Sequence, residues 1–135
     1  MGTRRKAREL ALKVLFENDF NGVATAKISD RVQIEEGVEA EVSSFMHELL
    51  RLYEDHKSEI NSCIETHSNN WKLSRMASVD RNILRLGVTE IKYCADVPRN
   101  VTINECLEIA KKFGSEDSSS FINGILDKIE KVEGL

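Results

Sequence analysis

The sequence is poor in helix-breaking residues and in cysteine. Its 135 residues include one Pro and seven Gly, too few for a loop-rich fold, and 41% hydrophobic residues, too many for a disordered chain. Three cysteines, Cys63, Cys94 and Cys106, stand far apart without a CxxC pair. This usage predicts reduced, core-forming thiols in a cytoplasmic protein. The length favours one domain over residues 1–135.

Motifs for cofactor, metal and nucleophile chemistry are also missing. The glycines form neither GxGxxG nor a P-loop, and GxSxG and HExxH do not occur. His47, His56 and His67 lack the i, i+4 spacing that a helix offers a metal. No apolar run approaches the roughly twenty residues that cross a bilayer. We therefore expect a protein that is not an enzyme, that holds no cofactor or metal, and that does not enter a membrane.

Basic residues are concentrated at one end of an acidic chain. Residues 1–13 hold five basic residues and one acidic residue, a net charge of +4, whereas the remainder holds 14 basic and 22 acidic residues, a net charge of −8. A small cationic patch on an anionic body can bind phosphates while the rest of the surface repels them. A solvated helix end would show the same charges, so the charge distribution alone leaves both interpretations open.

Helical periodicity covers this basic end. Ala7, Leu10, Ala11, Val14 and Leu15 form a complete apolar stripe for a helix over residues 3–18. The arginines beside this stripe fall in the first turns, and we expect those turns to project as an uncovered basic cluster. Positive charge opposes the dipole at a helix N-terminus, so stability gives little reason for placing it there.

The rest of the chain is also helical in pattern. Residues 19–40 predict one short helix after a turn at Asn21-Gly22, and residues 41–67 predict a helix that breaks between Asp55 and Ser58. Apolar positions at 79–91 indicate a central helix that is buried on two faces. Since no alternating run competes with these patterns, the sequence predicts an all-α protein of six helices, give or take one.

Three local signals mark the last two helices and the segment before them. Trp71, the only tryptophan, is expected to anchor a core between two helices. Thr102 followed by Glu105 has the spacing of a capping box that opens a helix. Gly114 is expected to end that helix in the left-handed conformation, and residues 115–117 to cap the next one.

Several strings in this order resemble the NusB family of bacterial transcription antitermination factors. Near the N-terminus, residues 4–11 look like the family's arginine-rich motif, whereas residues 20–70 match loosely. The strings of the second half are Trp71, Val79-Asp80-Arg81-Asn82-Ile83-Leu84-Arg85-Leu86, Thr102-Ile103-Asn104-Glu105, Phe113-Gly114 and Phe121-Ile122-Asn123-Gly124-Ile125-Leu126-Asp127-Lys128.

The resemblance implies a fold, a ligand and a partner. The fold is six or seven helices in two packed three-helix halves, about residues 1–70 and 71–135. The ligand is the boxA element of nascent, mainly ribosomal, RNA, and the partner is the ribosomal protein NusE. Together they help RNA polymerase elongate past terminators. Some relatives pair as homodimers, so a homodimer stays open.

Carried onto this chain, the resemblance also implies site residues. Guanidinium and ammonium groups would bind phosphates and base edges, an aromatic ring would stack on a base, and a carboxylate would accept from a base amino group. These RNA-binding candidates are Arg4, Arg5, Lys6, Arg8, Phe113 and Asp117, and the candidates for NusE binding are Asp80 and Arg81. Relatives often carry a lysine where this chain has Ser120, so one RNA contact is expected to be missing. A place in the core for Phe113, and helix ends for Asp117 and Asp80, are the structural alternatives.

Two other functions are compatible with the sequence. The same helical module occurs as the RNA-recruiting part of ribosomal RNA cytosine methyltransferases, although this chain has no glycine-rich cofactor loop. A pure protein adaptor could use the basic end to dock on an acidic partner. On the RNA-binding interpretation, replacing Arg4, Arg5 and Arg8 with Ala should abolish most RNA binding and leave the melting curve nearly unchanged.

Overall fold

The computed structural model describes residues 2–133. In that range the chain forms seven α-helices and one short 3-10 helix, with no β-strand, which confirms the all-α prediction. The elements are α1 (Thr3–Asn21), α2 (Thr25–Glu36), α3 (Ala40–Asp55), α4 (Lys57–His67), the 3-10 helix (Leu73–Arg75), α5 (Ser78–Tyr93), α6 (Arg99–Phe113) and α7 (Ser118–Glu133).

The boundaries in the first half follow the predicted signals. α1 runs three residues beyond the predicted end and stops at Gly22, whose φ of 74° needs the conformational freedom of glycine. One helix, α2, occupies the weakly patterned segment. The break predicted between Asp55 and Ser58 lies at His56, which ends α3 and precedes α4.

The central helix α5 connects the two halves. It packs on α1 and α3 of the first half, on α6 and α7 of the second, and on α4. Gly87 lies where this packing is closest, because a Cβ there would come within 3.1 Å of Cys106 Sγ and of Leu126. A helix buried on so many sides explains the broad apolar pattern of residues 79–91.

The two halves divide earlier in the chain than residue 70. α1, α2 and α3 pack on one another, and α5, α6 and α7 do the same. α4 contacts α5 and α7 more extensively than it contacts α3. The bend at His56 therefore directs α4 onto the second half, which is a tertiary arrangement that helical periodicity does not encode.

Three local predictions for the second half are wrong. α6 begins at Arg99 after Pro98, so Thr102 and Glu105 form no capping box, and the buried Thr102 hydroxyl donates to Glu90 instead. Gly114 is extended rather than left-handed, and a Cβ there would clash with Ser118 at 2.5 Å. Trp71 is 55% exposed and lies against Phe121, with ring centroids 6.5 Å apart.

Candidate nucleic-acid interface

The basic end of α1 lies against the second half of the protein, and Arg8 is its most buried basic side chain. Arg8 is only 4% exposed, and its Nε and Nη2 donate to the two carboxylate oxygens of Glu90 at 2.7 and 2.8 Å. Glu90 comes from α5 and is fully buried. Burial alone would lower the pKa of the Arg8 guanidinium, but the hydrogen bonds and charge of Glu90 hold that pKa above its ordinary value.

The expectation of an uncovered arginine cluster is therefore wrong for Arg8. Its charge is neutralised inside the protein, and its guanidinium also lies 5.5 Å from the ring centre of Phe45 on α3. An arginine with these contacts joins α1, α3 and α5. The expectation that Arg8→Ala leaves the melting curve unchanged no longer follows, whereas contact between Arg8 and RNA stays an untested prediction.

Arg5 and Arg4 also have carboxylate partners, but they lie nearer to solvent. Arg5 donates from Nε and Nη2 to Glu105 on α6, at 2.8 and 2.7 Å. Arg4 pairs with Asp96 at 3.0 Å, and both side chains are largely exposed. A hydrogen bond and the positive charge from Arg5 hold the pKa of the Glu105 carboxyl below its ordinary value. The basic cluster is thus partly neutralised by acidic residues of the second half.

Lys6 and Phe113 lie in one groove although they are 107 positions apart. The groove encloses about 370 Å³ between α1 and the second half. Lys6 is exposed and forms no ion pair within residues 2–133. The Phe113 ring is 46% exposed, and the Lys112 ammonium lies 5.2 Å from its centre. The other lining residues are Glu9, Leu10, Leu12, Lys13, Phe16, Glu36 and Val79.

The exposure of Phe113 removes its structural alternative, because the ring is not a core residue. Asp117 is exposed in the turn before α7 and does not line the groove that contains Phe113. In the same turn the Ser118 hydroxyl accepts from the backbone amide of Ser115 at 2.9 Å. The exposed Asp117 carboxylate follows the exposed ring by four residues.

Asp80 and Arg81 both have partners inside the chain. Asp80 is buried and accepts a 2.6 Å hydrogen bond from the Ser118 hydroxyl, which connects α5 to α7. Arg81 donates to Asp19 on α1 at 2.6 Å and to the backbone carbonyls of Leu73 and Met76. These contacts give both residues a structural role, and a role in partner binding stays a prediction.

Asp19 accepts hydrogen bonds from Arg81 and Asn82, and these contacts predict a specific dependence of stability on pH. Burial alone would raise the pKa of Asp19, but hydrogen bonds from Arg81 and Asn82 outweigh it and lower that pKa in the folded state. A lowered folded-state pKa stabilises the protein above the carboxyl's unfolded pKa, about 3.9, and this contribution is lost as the pH falls through the folded-state value. We expect Asp19→Asn to reduce the free energy of unfolding by about 1–3 kcal/mol at neutral pH.

Urea unfolding as a function of pH measures this contribution. The difference between the wild type and Asp19→Asn should shrink as the pH falls below about 4, because the carboxyl is protonated first in the unfolded and then in the folded protein, whereas asparagine carries no charge at any pH. Asp55→Asn, which removes a carboxylate from an exposed pair with Arg51, is the matched control and should change stability little. A difference that persists unchanged into acid would contradict the assigned role of the Asp19 charge.

The sequence pattern did not predict an exposed aromatic ridge at the end of α1, which consists of Phe16, Phe20 and Val23. Phe16 and Phe20 lie one helical turn apart, and Phe20 is 84% exposed. Val23 follows at the end of the helix and is also exposed. Phe16 continues the helical pattern of apolar residues, so periodicity could not distinguish this ridge from core. Exposed large apolar side chains in a row typically mark a protein interaction surface.

Two further kinds of feature, a metal site and a membrane-spanning helix, are absent from the described residues. No group of three or more His, Cys, Asp or Glu side chains in this part of the chain is arranged to hold a metal ion. Among residues 2–133, no helix combines the length and the apolar character that a membrane span requires.

Comparison with known proteins identifies the family. The sequence pattern of the NusB family matches residues 5–131. The chain belongs to the NusB family. The transcription antitermination protein NusB of Myxococcus xanthus is 43% identical over 133 residues, which cover 96% of this chain and 95% of the relative. Its counterpart in Geobacter sulfurreducens is 47% identical over 130 residues, which cover 96% and 94%.

Solved NusB structures share the fold. The NusB of T. maritima superposes with a TM-score of 0.89 at 35% identity, covering 95% of this chain and 90% of that one. A chain from a crystal structure of the antitermination factors NusB and NusE in complex with double-stranded RNA has a TM-score of 0.89 at 28% identity, with 96% and 97% coverage. The NusB-family resemblance drawn from the motifs is thus confirmed.

Proposed function

We propose that this NusB-family protein is a non-enzymatic transcription antitermination factor that binds single-stranded boxA RNA together with NusE. The observation that carries the proposal is the groove shared by Lys6 and Phe113, which is lined by a cation without an ion pair among the described residues and by an exposed ring. Single-stranded nucleic acid is bound by this combination, since ammonium groups neutralise phosphates while aromatic rings stack on bases. The proposed place of action is the RNA polymerase antitermination complex in the cytoplasm.

The proposed RNA surface extends from the groove to the N-terminal end of α1. Arg4 and Arg5 are accessible enough to reach phosphates after leaving their carboxylate partners. Asp117, four residues after Phe113, is exposed and available to a base amino group. Arg8 acts in this proposal by fixing the direction of α1, because its guanidinium is buried and its charge is neutralised by the buried Glu90.

The aromatic ridge of Phe16, Phe20 and Val23 is the surface that we assign to NusE. Its two phenylalanines lie on the same helix as the basic cluster, and Phe16 also lines the groove, so a protein on the ridge would border the bound RNA. Val79, immediately before Asp80, lines the groove as well. The partner would thereby complete an RNA surface that each protein supplies only in part. A structural relative that was crystallised with NusE and double-stranded RNA supports the choice of these two kinds of partner.

Binding measurements with matched RNAs test the proposal. Fluorescence anisotropy should be recorded with a short boxA RNA, a scrambled single strand and an RNA duplex, each with and without NusE. We expect boxA to bind most tightly and NusE to increase its affinity. Pulling down NusE without RNA tests the partner surface separately.

Other outcomes of these measurements would redirect the proposal. Equal affinity for all three RNAs would show charge attraction without sequence recognition. Preference for the duplex would contradict a role for base stacking on Phe113, since duplexes are recognised mostly by shape and backbone contacts. Self-association through the aromatic ridge, seen by light scattering and lost in Phe20→Ala, would indicate a homodimer rather than a NusE surface.

A further inference from the structure

The Glu105 carboxylate, which faces the basic end of α1, lies where it can change the affinity for RNA. Arg5 and Glu105 form a two-point pair in which Nε and Nη2 face the two carboxylate oxygens. A phosphate presents a similar pair of oxygens to a guanidinium, and Arg recognises both groups in this way. Glu105 therefore occupies the edge of Arg5 that a phosphate would use.

We propose that Glu105 competes with RNA phosphates for Arg5 and thereby lowers the affinity of the protein for any RNA. The inference rests on the proposed function, because it concerns the same RNA surface. In the protein without RNA, the Glu105 carboxylate on α6 neutralises the Arg5 charge. A phosphate must displace that carboxylate before it gains both hydrogen bonds. The affinity for RNA, nonspecific RNA included, is therefore lower than it would be if no carboxylate faced Arg5.

The surroundings of Glu105 explain why the competition is substantial. Its side chain is only 19% exposed, and the Nη1 of the buried Arg8 lies 3.9 Å from one carboxylate oxygen. The carboxylate thus stays in place, near a second cation, after Arg5 has left. The Arg4 pair with Asp96 is different, since both side chains are largely exposed and a pair of that kind contributes little.

Two opposite roles for Glu105 predict opposite changes in affinity. If Glu105 competes with phosphate, its neutralisation removes the charge that opposes a phosphate at Arg5 and strengthens RNA binding. If Glu105 instead orients Arg5 so that its remaining N–H groups face the RNA, the same change weakens binding. The sign of the effect of Glu105→Gln therefore decides between competition and positioning.

The experiment measures the affinity of Glu105→Gln for the boxA RNA and for the scrambled RNA. We expect both affinities to rise by roughly three- to tenfold, the range set by losing a partly exposed charge-assisted pair. Glu108→Gln is the matched control, because it removes the same charge from the next turn of α6, where Glu108 pairs with Lys111 rather than with Arg5. That control should change affinity by less than about twofold.

A double-mutant cycle separates competition for Arg5 from a general change in charge. In an Arg5→Gln background, Glu105→Gln should no longer strengthen binding, since the residue it competes for is absent. Thermal unfolding of each variant verifies that the fold is retained. Unchanged or weaker RNA binding by Glu105→Gln, or a gain that persists without Arg5, would overturn the proposal.

Failure of this inference can be told apart from failure of the proposed function. If the wild type binds none of the RNAs, with or without NusE, the proposed function fails. If the wild type binds boxA and Arg5→Gln weakens that binding, but Glu105→Gln leaves it unchanged, only the competition is disproved.

Discussion

Replacing Arg8 with alanine should lower the free energy of unfolding by about 3–5 kcal/mol. The change leaves the fully buried Glu90 carboxylate without the guanidinium that neutralises it. An uncompensated buried charge is far more costly than the loss of an exposed ion pair. The midpoint of urea unfolding, followed by circular dichroism, measures the effect.

The neighbouring Arg4 provides the control for this prediction. Arg4→Ala removes a guanidinium from an exposed pair on the same helix and should change stability by less than about 1 kcal/mol. The double variant Arg8→Met, Glu90→Leu should recover most of the stability, because it removes both charges and fills the space with apolar atoms. Arg8→Ala unfolding at the wild-type midpoint would show that the buried pair is not a structural anchor.

Replacing Phe113 with alanine should weaken binding of single-stranded boxA RNA by about 1–3 kcal/mol, or roughly 5- to 150-fold. The ring is exposed in the groove, so its loss removes a stacking surface without opening a cavity in the core. Adding Lys6→Ala should weaken binding further and reduce the dependence of log affinity on log salt by about 0.7. Anisotropy titrations at several salt concentrations measure both quantities.

Matched variants on α1 and α2 separate this site from its surroundings. Phe20→Ala removes an even more exposed ring and should leave RNA affinity unchanged while it weakens NusE binding. Lys27→Ala removes an exposed ammonium from α2 and should leave the salt dependence unchanged. If Phe113→Ala retains wild-type RNA affinity, or Phe20→Ala loses it, the groove is not the place where bases stack.

The structure changes the number of cations available to RNA. With Arg8 committed to Glu90, Arg4, Arg5 and Lys6 remain from the predicted basic cluster. Three phosphate contacts predict that log affinity falls by about 2 per decade of salt. All three lie in the first turns of α1, so the proposed RNA surface depends on where that helix is anchored.

Much of the fold could be predicted from the sequence because helices depend on local periodicity. The apolar stripe of α1, the short α2, the bend at His56 and the central α5 all occur where the pattern places them. Turn chemistry was predicted less well. At Thr102 and Glu105, the same side chains that suit a cap are used instead for contacts with Glu90 and Arg5, from other helices.

The candidate site depended more on tertiary structure. The sequence showed that the N-terminus is basic, and its motifs singled out Phe113, but only folding brings Phe113 into one groove with Lys6. Burial separates Arg8 from Lys6, although both are cations in the same two turns of helix. Whether a cation of α1 is exposed to solvent depends on whether its side chain points toward α5 and α6 or away from them.

By itself, the sequence determined the all-α class, most helix boundaries and the concentration of positive charge at one end. Those properties follow from composition and from the 3.6-residue period, which act within one segment of chain. Only the tertiary structure decided which cations are free, because Asp96, Glu105 and Glu90 approach α1 from distant positions in the chain. Charge neutralisation is a property of distance in space, and local sequence does not specify that distance.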